Sequence, residues 1–371
     1  MKAARGLSRR RLFLSAPAFL GVGPAFAATT KHGTSGPLNL ITDVDGLQIG
    51  QAQDERVRTG VTVLLPDRRV TCAVDVRGGG PGTRETDALT PWNLVRSVDA
   101  IVLSGGSVYG LAASDGVAAV LGAQGRGFAL GTAAGVPVSP IVPSAILYDL
   151  ANGGDKRWGT MPPYRALGVA ALHDVRARFA LGTAGAGYGA TAGTLKGGIG
   201  SASFVSHDGI TVGAIVACNS LGSVTVPGTN RFWAAPFEID REFGGLGAAS
   251  VTVDTEDWGD AKINPSPRAN TTLACVATDA ALDPDECRRV AMMAQDGLAR
   301  AIRPVHSPFD GDTVFALSTG RRPLPAGPRA LLVARIGAIA ADVLARSIAR
   351  GVYEARMPAG MAGQSWSMLK G

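Results

Sequence analysis

Short runs of alternating apolar and polar residues fill the first part of the chain and predict strands. "GLQIGQAQ", "TGVTVLLP" and "VTCAVDVRG" follow this pattern and are separated by polar turns. "AIVLSGG" predicts a buried strand, and the "SVYGLAASDGVAAVLGAQG" that follows predicts a helix ending at glycine. Thr90-Pro91 has the pattern of a helix start. "GGIGSASFVSHDGITVGAIVACNS" predicts a hairpin, because Asp208-Gly209 is a two-residue turn signal between alternating runs.

The last third of the chain adds strands and helices to the same pattern. Leu273–Ala277 and "TVFALST" predict buried strands, and a helix is expected from about Asp283. The final helix carries an apolar face opposite charged residues, as in a helix that covers a sheet; this face contains Leu332, Ile336, Ile339 and Val343. The 371 residues, 46% of them hydrophobic, therefore predict an α/β fold, a layered sandwich whose last third completes the same core.

A long segment without periodicity, residues 222–270, runs through "INPSPRAN" into the strand at Leu273. The Asn270-Thr271 bond at this junction has two interpretations. It is either an ordinary entry into a strand or a bond to be cleaved, which would leave Thr271 as a new N-terminus. An N-terminal threonine carries a hydroxyl and an α-amine whose pKa, near 8, suits it as a base. The dipeptide is common, so its chemistry alone leaves both interpretations open.

The formal charge of +6 is concentrated at the N-terminus. Residues 1–27 contain five basic residues and no acidic residue, so the remainder carries +6 − 5 = +1. The five are Lys2, Arg5, Arg9, Arg10 and Arg11. A nearly neutral remainder gives no electrostatic reason to expect a nucleic-acid partner.

The same N-terminal residues predict export. A basic region, a short apolar run and the small-residue site Ala25-Phe26-Ala27 are typical of a signal peptide over residues 1–27. "RRLFL" is a twin-arginine pattern, which predicts a folded, periplasmic protein. The apolar run contains prolines and is too short to span a bilayer, so no membrane association is expected.

No cofactor or metal is expected from the remaining motifs. "DVRGGGPGTRETD" and "GTAGAGYGATAG" resemble phosphate loops in composition only, and structural turns are favoured, although their backbone N–H groups could line a pocket. The chain has no CxxC or HExxH spacing, and His32, His173, His207 and His306 are scattered. Three of the four cysteines lie in apolar strand-like runs, which favours buried thiols over disulfides.

Several long, ordered segments resemble one family of self-processing hydrolases: "AVDVRGGGPGTRETD", "DAIVLSGGSVYGLAASDGV", "LKGGIGSAS" and "TTLACVATDA". The family contains L-aminopeptidase/D-esterases, β-peptidyl aminopeptidases and nylon-oligomer hydrolases, and the resemblance runs from residues 41–54 to the final helix. It implies a four-layer αββα sandwich like that of N-terminal-nucleophile hydrolases, with different connectivity. It also implies cleavage into an α chain (28–270) and a β chain (271–371), which stay together in one sandwich and assemble as a tetramer of αβ units.

The resemblance also implies site residues. Thr271 matches the nucleophile at the β-chain N-terminus, and Asn before Thr is the pattern of the nylon-oligomer branch. Asn219 matches the residue whose amide points at the oxyanion, and the same amide would serve self-cleavage. Lys196 matches a lysine near the nucleophile, where a positive charge would favour an uncharged α-amine. Without the resemblance, Asn219 could simply end a strand and Lys196 could be solvated.

Three further residues match less distinctive positions. Asp310 and Asp312, in "FDGDTVFALSTG", match acids that hold the hydroxyl and amine of the nucleophile. A plain turn is the other interpretation of this motif. Tyr148, in "ILYDL", matches a pocket tyrosine but could equally be a core residue.

The resulting expectation is an autoprocessed hydrolase of small peptides or amides that uses Thr271. An acyltransferase with the same nucleophile and an uncleaved periplasmic binding protein remain the alternatives. The segment 222–270, with Trp233, Phe237 and Trp258, resembles the family least, so the substrate is left open.

Overall fold

Two β-sheets pack face to face, and each is covered by helices on its outer face. The computed structural model describes residues 32–131, 133–262 and 270–369. The predicted signal peptide and the prolines of "INPSPRAN" lie outside these residues. Gly33–Gly371 form one compact unit by their contacts.

The first sheet has the strand order β1-β2-β6-β7-β4. Its strands are β1 (Leu47–Asp54), β2 (Thr59–Pro66), β4 (Thr83–Arg84), β6 (Ile101–Ser104) and β7 (Ser144–Ile146). The second sheet has the order β10-β11-β12-β13-β3-β5. Its strands are β3 (Val70–Val76), β5 (Ser97–Val98), β10 (Gly198–Val205), β11 (Thr211–Asn219), β12 (Thr271–Ala280) and β13 (Thr313–Arg322). A short pair, β8 (Thr191–Ala192) and β9 (Leu195–Lys196), lies beside them.

In the part of the chain that the structure describes, four helices form the outer layers: α1 (Ala112–Ala123), α2 (Tyr164–His173), α3 (Pro284–Ala301) and α4 (Arg329–Tyr353). The helix expected from Asp283 begins there because the Asp283 side chain accepts the Glu286 N–H, and the Glu286 carboxylate accepts the Asp283 N–H. The prediction that a helix starts at Thr90-Pro91 is wrong. The Thr90 hydroxyl donates back to the carbonyl of Asp87, which closes a turn instead of capping a helix.

The core has three apolar layers, one between the sheets and one beneath each pair of helices. β12 shows why its sequence is apolar throughout: all of its ten residues are buried. Leu273 and Cys275 point into the layer between the sheets, and Ala274 and Val276 into the layer beneath α3 and α4. A strand covered on both faces has no polar face to alternate with. All four cysteines are buried with free thiols, as their apolar surroundings predict.

The segment without periodicity is irregular in its described part. Residues 222–262 contain neither α-helix nor strand, only a 3₁₀ turn at Ala235–Phe237. Among the described residues, no helix has the length and apolar character needed to cross a bilayer.

Candidate active site

The Asn270–Thr271 bond lies at the start of β12, in the middle of the second sheet. Thr271 pairs with Asn219 at the end of the antiparallel strand β11. Asn270 forms a parallel bridge with Asp310, just before β13. Because β12 is antiparallel to β11 and parallel to β13, all four residues lie at the same end of these three strands. Sequence positions far apart thus meet around one peptide bond.

The carbonyl of this bond accepts two hydrogen bonds. Thr271 Oγ1 donates to the Asn270 carbonyl oxygen at 2.6 Å, and the Gly311 N–H donates to the same oxygen at 2.8 Å. Both residues of the bond are almost fully buried, with 1% and 2% of their surface exposed. The hydroxyl therefore lies next to the carbonyl group that it would have to attack.

The two acids expected to hold the nucleophile form a turn beside it. Asp312 Oδ1 accepts the backbone N–H of Thr272 at 2.9 Å, one residue beyond the hydroxyl in question. Asp310 instead accepts the N–H and hydroxyl of Ser307 and the N–H of Leu221. Burial, together with the charge of Asp312, raises the pKa of Asp310. Asp312 therefore holds the backbone at the start of β12, and Asp310 holds the turn.

His306 is a site residue that the sequence did not suggest. Its Nδ1 lies 2.8 Å from Asp312 Oδ2, and its backbone N–H donates to the same oxygen at 3.1 Å. Its position six residues before Asp312 follows no known motif spacing, so nothing in the sequence pointed to it. The structure makes it the residue that orients Asp312.

The glycine-rich loop after β3 supports the acidic turn from behind. Gly80 N–H donates to the Asp310 carbonyl at 2.7 Å, and Arg77 N–H to the Asp312 carbonyl at 3.0 Å. A Cβ added to Gly78 would lie 2.2 Å from the Asp310 carbonyl oxygen, so only glycine permits this approach. The loop is therefore a structural turn, as its sequence favoured, and its N–H groups bind the protein's own backbone.

Asn219 is held at both ends of its side-chain amide. Its Nδ2 donates to the Tyr148 carbonyl at 3.1 Å, and its Oδ1 accepts the Thr191 N–H at 3.0 Å. Lys262 Nζ approaches the carbonyl and side-chain oxygens of Asn219 at 3.2 and 3.3 Å. Asn219 is thus hydrogen-bonded through both ends of its amide beside Thr271, and Tyr148 contributes its carbonyl as well as part of the cavity wall.

Lys196 is buried and fully coordinated by carbonyls. Its ammonium donates to Gly187, Ala190 and Gly197 at 3.0, 2.8 and 2.7 Å, which uses all three of its N–H groups. Burial lowers its pKa to about 7. Lys196 therefore makes no direct hydrogen bond to Thr271. The second glycine-rich loop presents carbonyls, not N–H groups, to this cation.

A cavity of about 570 Å³ opens beside the bond, a size that suits a small-molecule ligand. Its wall includes Tyr148, Asn219, Lys262 and Asn270, and also Arg58 and residues 360–363. Among the residues that the structure describes, no group of three or more His, Cys, Asp or Glu side chains could hold a metal ion.

Asp149 is the acid in this cavity wall, and the sequence reading missed it. It accepts the Thr59 hydroxyl at 2.6 Å and the Gly106 N–H at 2.7 Å. Burial raises its pKa to about 6, although both hydrogen bonds act in the other direction. A Cβ on Gly105, in the "SGG" turn, would lie 2.2 Å from Asp149 Oδ2, so a larger residue there would collide with this carboxyl group. Its place next to Tyr148 in "ILYDL" was the only available signal.

Known proteins are similar to this chain over most of its length. A profile of Peptidase family S58 matches residues 39–366. An uncharacterized aminopeptidase of Mycobacterium tuberculosis is 44% identical over 340 residues, which cover 87% of this chain and 96% of that protein. A 6-aminohexanoate-oligomer endohydrolase of Kocuria sp. is 30% identical over 355 residues, or 88% of this chain and 90% of that protein.

Solved structures share the architecture. A Burkholderia sp. β-aminopeptidase matches with a TM-score of 0.65 at 23% identity, over 90% of this chain and 92% of that one. An L-aminopeptidase D-Ala-esterase/amidase from Ochrobactrum anthropi, described as a variant of the Ntn hydrolase fold, matches with a TM-score of 0.63 at 20% identity over 90% of each chain. The expected αββα fold of the N-terminal-nucleophile type is confirmed.

Asp149→Asn should change how stability depends on pH. A folded-state pKa raised from 3.8 to about 6 means that the folded chain binds this proton more tightly than the unfolded chain. The wild type should therefore lose stability relative to the variant as pH rises from about 4 to about 6, by roughly 3 kcal/mol in total. Asparagine keeps an acceptor for Gly106. Denaturant titrations of both proteins from pH 4 to 7 measure the difference, and a constant difference would contradict the expectation.

Proposed function

This chain belongs to Peptidase family S58, and we propose that it is a self-processing amide hydrolase whose nucleophile is Thr271. The observation that carries the proposal is the position of Thr271 Oγ1, buried and 2.6 Å from the carbonyl oxygen of the preceding residue. Asn219 and Asp310 flank the same bond through the pairings of β11 and the turn before β13.

Self-cleavage would start from the uncleaved chain. Thr271 Oγ attacks the Asn270 carbonyl carbon, the O–C bond forms, the C–N bond breaks, and the hydroxyl proton ends on the leaving nitrogen. Water then hydrolyses the ester, which leaves a carboxylate on Asn270 and a free amine on Thr271. Asp312 keeps the start of β12 in place through Thr272 during this change.

In turnover the free amine of Thr271 acts as the base for its own hydroxyl. The amine takes the hydroxyl proton while the hydroxyl oxygen bonds to the carbonyl carbon of a substrate amide in the cavity. The C–N bond then breaks, and the proton leaves on the departing amine. Water hydrolyses the acyl-enzyme, which releases the acid and restores the hydroxyl. Asn219 supplies a side-chain donor for the oxyanion of that substrate, for which its amide would leave the Tyr148 carbonyl. The cavity size and the names of the relatives support small peptides or amide oligomers as substrates.

Self-cleavage itself gives the first test. The purified protein should separate on a denaturing gel into chains of roughly 25 and 10 kDa, as expected for residues 28–270 and 271–371. Thr271→Ala should remain one chain because it lacks the hydroxyl, whereas Thr271→Ser should still be cleaved. A wild-type chain that stays intact after long incubation would exclude this nucleophile and favour the binding-protein alternative.

Asn219→Ala should act on turnover. If its amide meets the oxyanion, loss of that donor should lower kcat of the mature enzyme by about a hundredfold or more. The effect on KM should be small, because the donor meets full negative charge only in the tetrahedral state. Steady-state kinetics on a chromogenic amino-acid anilide, with melting temperature as the control for folding, measure this. Unchanged kcat would reduce Asn219 to a strand-end residue.

Export and assembly complete the proposal. We expect the twin-arginine pattern to direct the chain to the periplasm. We also expect the αβ units to associate as a homo-oligomer, namely a tetramer of αβ units. N-terminal sequencing of the exported protein should begin at Ala28, and light scattering should give a multiple of the αβ mass. A protein with an intact N-terminus in the cytoplasm would contradict the export expectation. A single αβ unit in solution would contradict the assembly expectation.

A further inference from the structure

The carbonyl oxygen of Asn270 already has a backbone donor in the uncleaved chain. Gly311 N–H donates to it at 2.8 Å, so a donor already contacts the oxygen on which negative charge would develop. The amide nitrogen of Asn219 is elsewhere, because it donates to the Tyr148 carbonyl at 3.1 Å. The side chain expected to serve both reactions is thus not on the carbonyl that self-cleavage would attack.

We propose that the backbone N–H of Gly311 is the oxyanion donor for self-cleavage, and that Asn219 serves turnover alone. This inference rests on the proposed function, because it concerns the first reaction of the same nucleophile. It assigns two donors to two reactions that pass through similar tetrahedral states.

The chemistry places Gly311 where charge develops. When Thr271 Oγ bonds to the Asn270 carbon, the carbonyl electron pair moves onto the oxygen that the Gly311 N–H already contacts. The C–N bond then breaks, and the hydroxyl proton ends on the leaving nitrogen. The ground-state hydrogen bond from Thr271 to this oxygen is lost on attack, whereas the Gly311 bond remains and strengthens.

The donor is held rigidly on both sides. Thr313 Oγ1 donates to the Gly311 carbonyl at 2.9 Å. In each of the flanking acids, Asp310 and Asp312, both carboxylate oxygens are hydrogen-bonded. The backbone carbonyl of Asp310 also accepts the Gly80 N–H at 2.7 Å. A donor fixed before reaction costs no reorganisation in the transition state, which is what makes such groups effective.

Glycine is needed at this position for space. A Cβ on Gly311 would lie 2.7 Å from Thr271 Oγ1 and 2.8 Å from the backbone oxygen of Gly80. The φ angle of Gly311 is not in the left-handed region, so alanine fits its backbone conformation. An added methyl group must therefore push either the nucleophile or the supporting loop, and not the fold as a whole.

The test follows maturation of the full chain in a cell-free translation time course, read as disappearance of the precursor on a denaturing gel. The decisive variant replaces Gly311 by glycolic acid, which changes one amide to an ester, removes the N–H and also makes the Asp310 carbonyl a weaker acceptor for the Gly80 N–H. We expect it to mature about a hundredfold more slowly than wild type. Gly311→Ala should also be slowed at least tenfold. Gly80→Ala is the matched control, because its Cβ would meet neighbours only at 3.7 Å.

The outcomes separate the possible failures. Asn219→Ala should mature within about threefold of wild type, while its mature form turns over slowly. The assignment of Gly311 would be overturned if the glycolate chain matured at a rate within threefold of wild type. It would also be overturned if Asn219→Ala matured as slowly as the glycolate chain. A wild-type precursor that never cleaves would instead overturn the proposed function. Melting temperatures near wild type show that a slow variant is folded.

Discussion

The register of β12 between β11 and β13 determines where Thr271 lies and what surrounds it. Thr271 stands opposite Asn219, and Asn270 bridges to Asp310 one step before the parallel strand begins. Side chains alternate between the two faces of a strand, so a slip of one residue would turn the hydroxyl to the other apolar layer. The ten buried residues of β12 resist such a slip because both faces pack against core. The apolar strand is thus the positioning device for a polar reaction.

Glycine-rich loops let backbone approach backbone around this strand, and the two loops do so with opposite polarity. The loop after β3 turns N–H groups of Arg77 and Gly80 toward the carbonyls of the acidic turn. The loop before β9 turns carbonyls of Gly187 and Ala190 toward the Lys196 ammonium. One loop therefore stiffens the turn that carries Asp310 and Asp312, and the other stabilises a buried cation.

Burial governs the titrating groups around the site. Burial raises the pKa of Asp149 and Asp310 and lowers that of Lys196, so each charge is disfavoured where it stands. Such positions cost stability unless hydrogen bonds compensate, and all three side chains are hydrogen-bonded by backbone or hydroxyl groups. The same weak screening makes each fixed donor near the Asn270 carbonyl more effective.

The local features follow from the order of residues alone: the apolar strands, the hairpin at Asp208-Gly209, the helix capped at Asp283 and the junction at Thr271. These depend on residues close together in the chain, whose periodicity, turn chemistry and capping are visible in the order of letters. Family resemblance added Asn219, Asp310 and Asp312. The remaining features of the site depend on the tertiary structure. The Gly311 N–H on the Asn270 carbonyl, the His306 contact with Asp312 and the burial of Asp149 all depend on which strands and loops become neighbours, and hydrophobic periodicity does not encode that order.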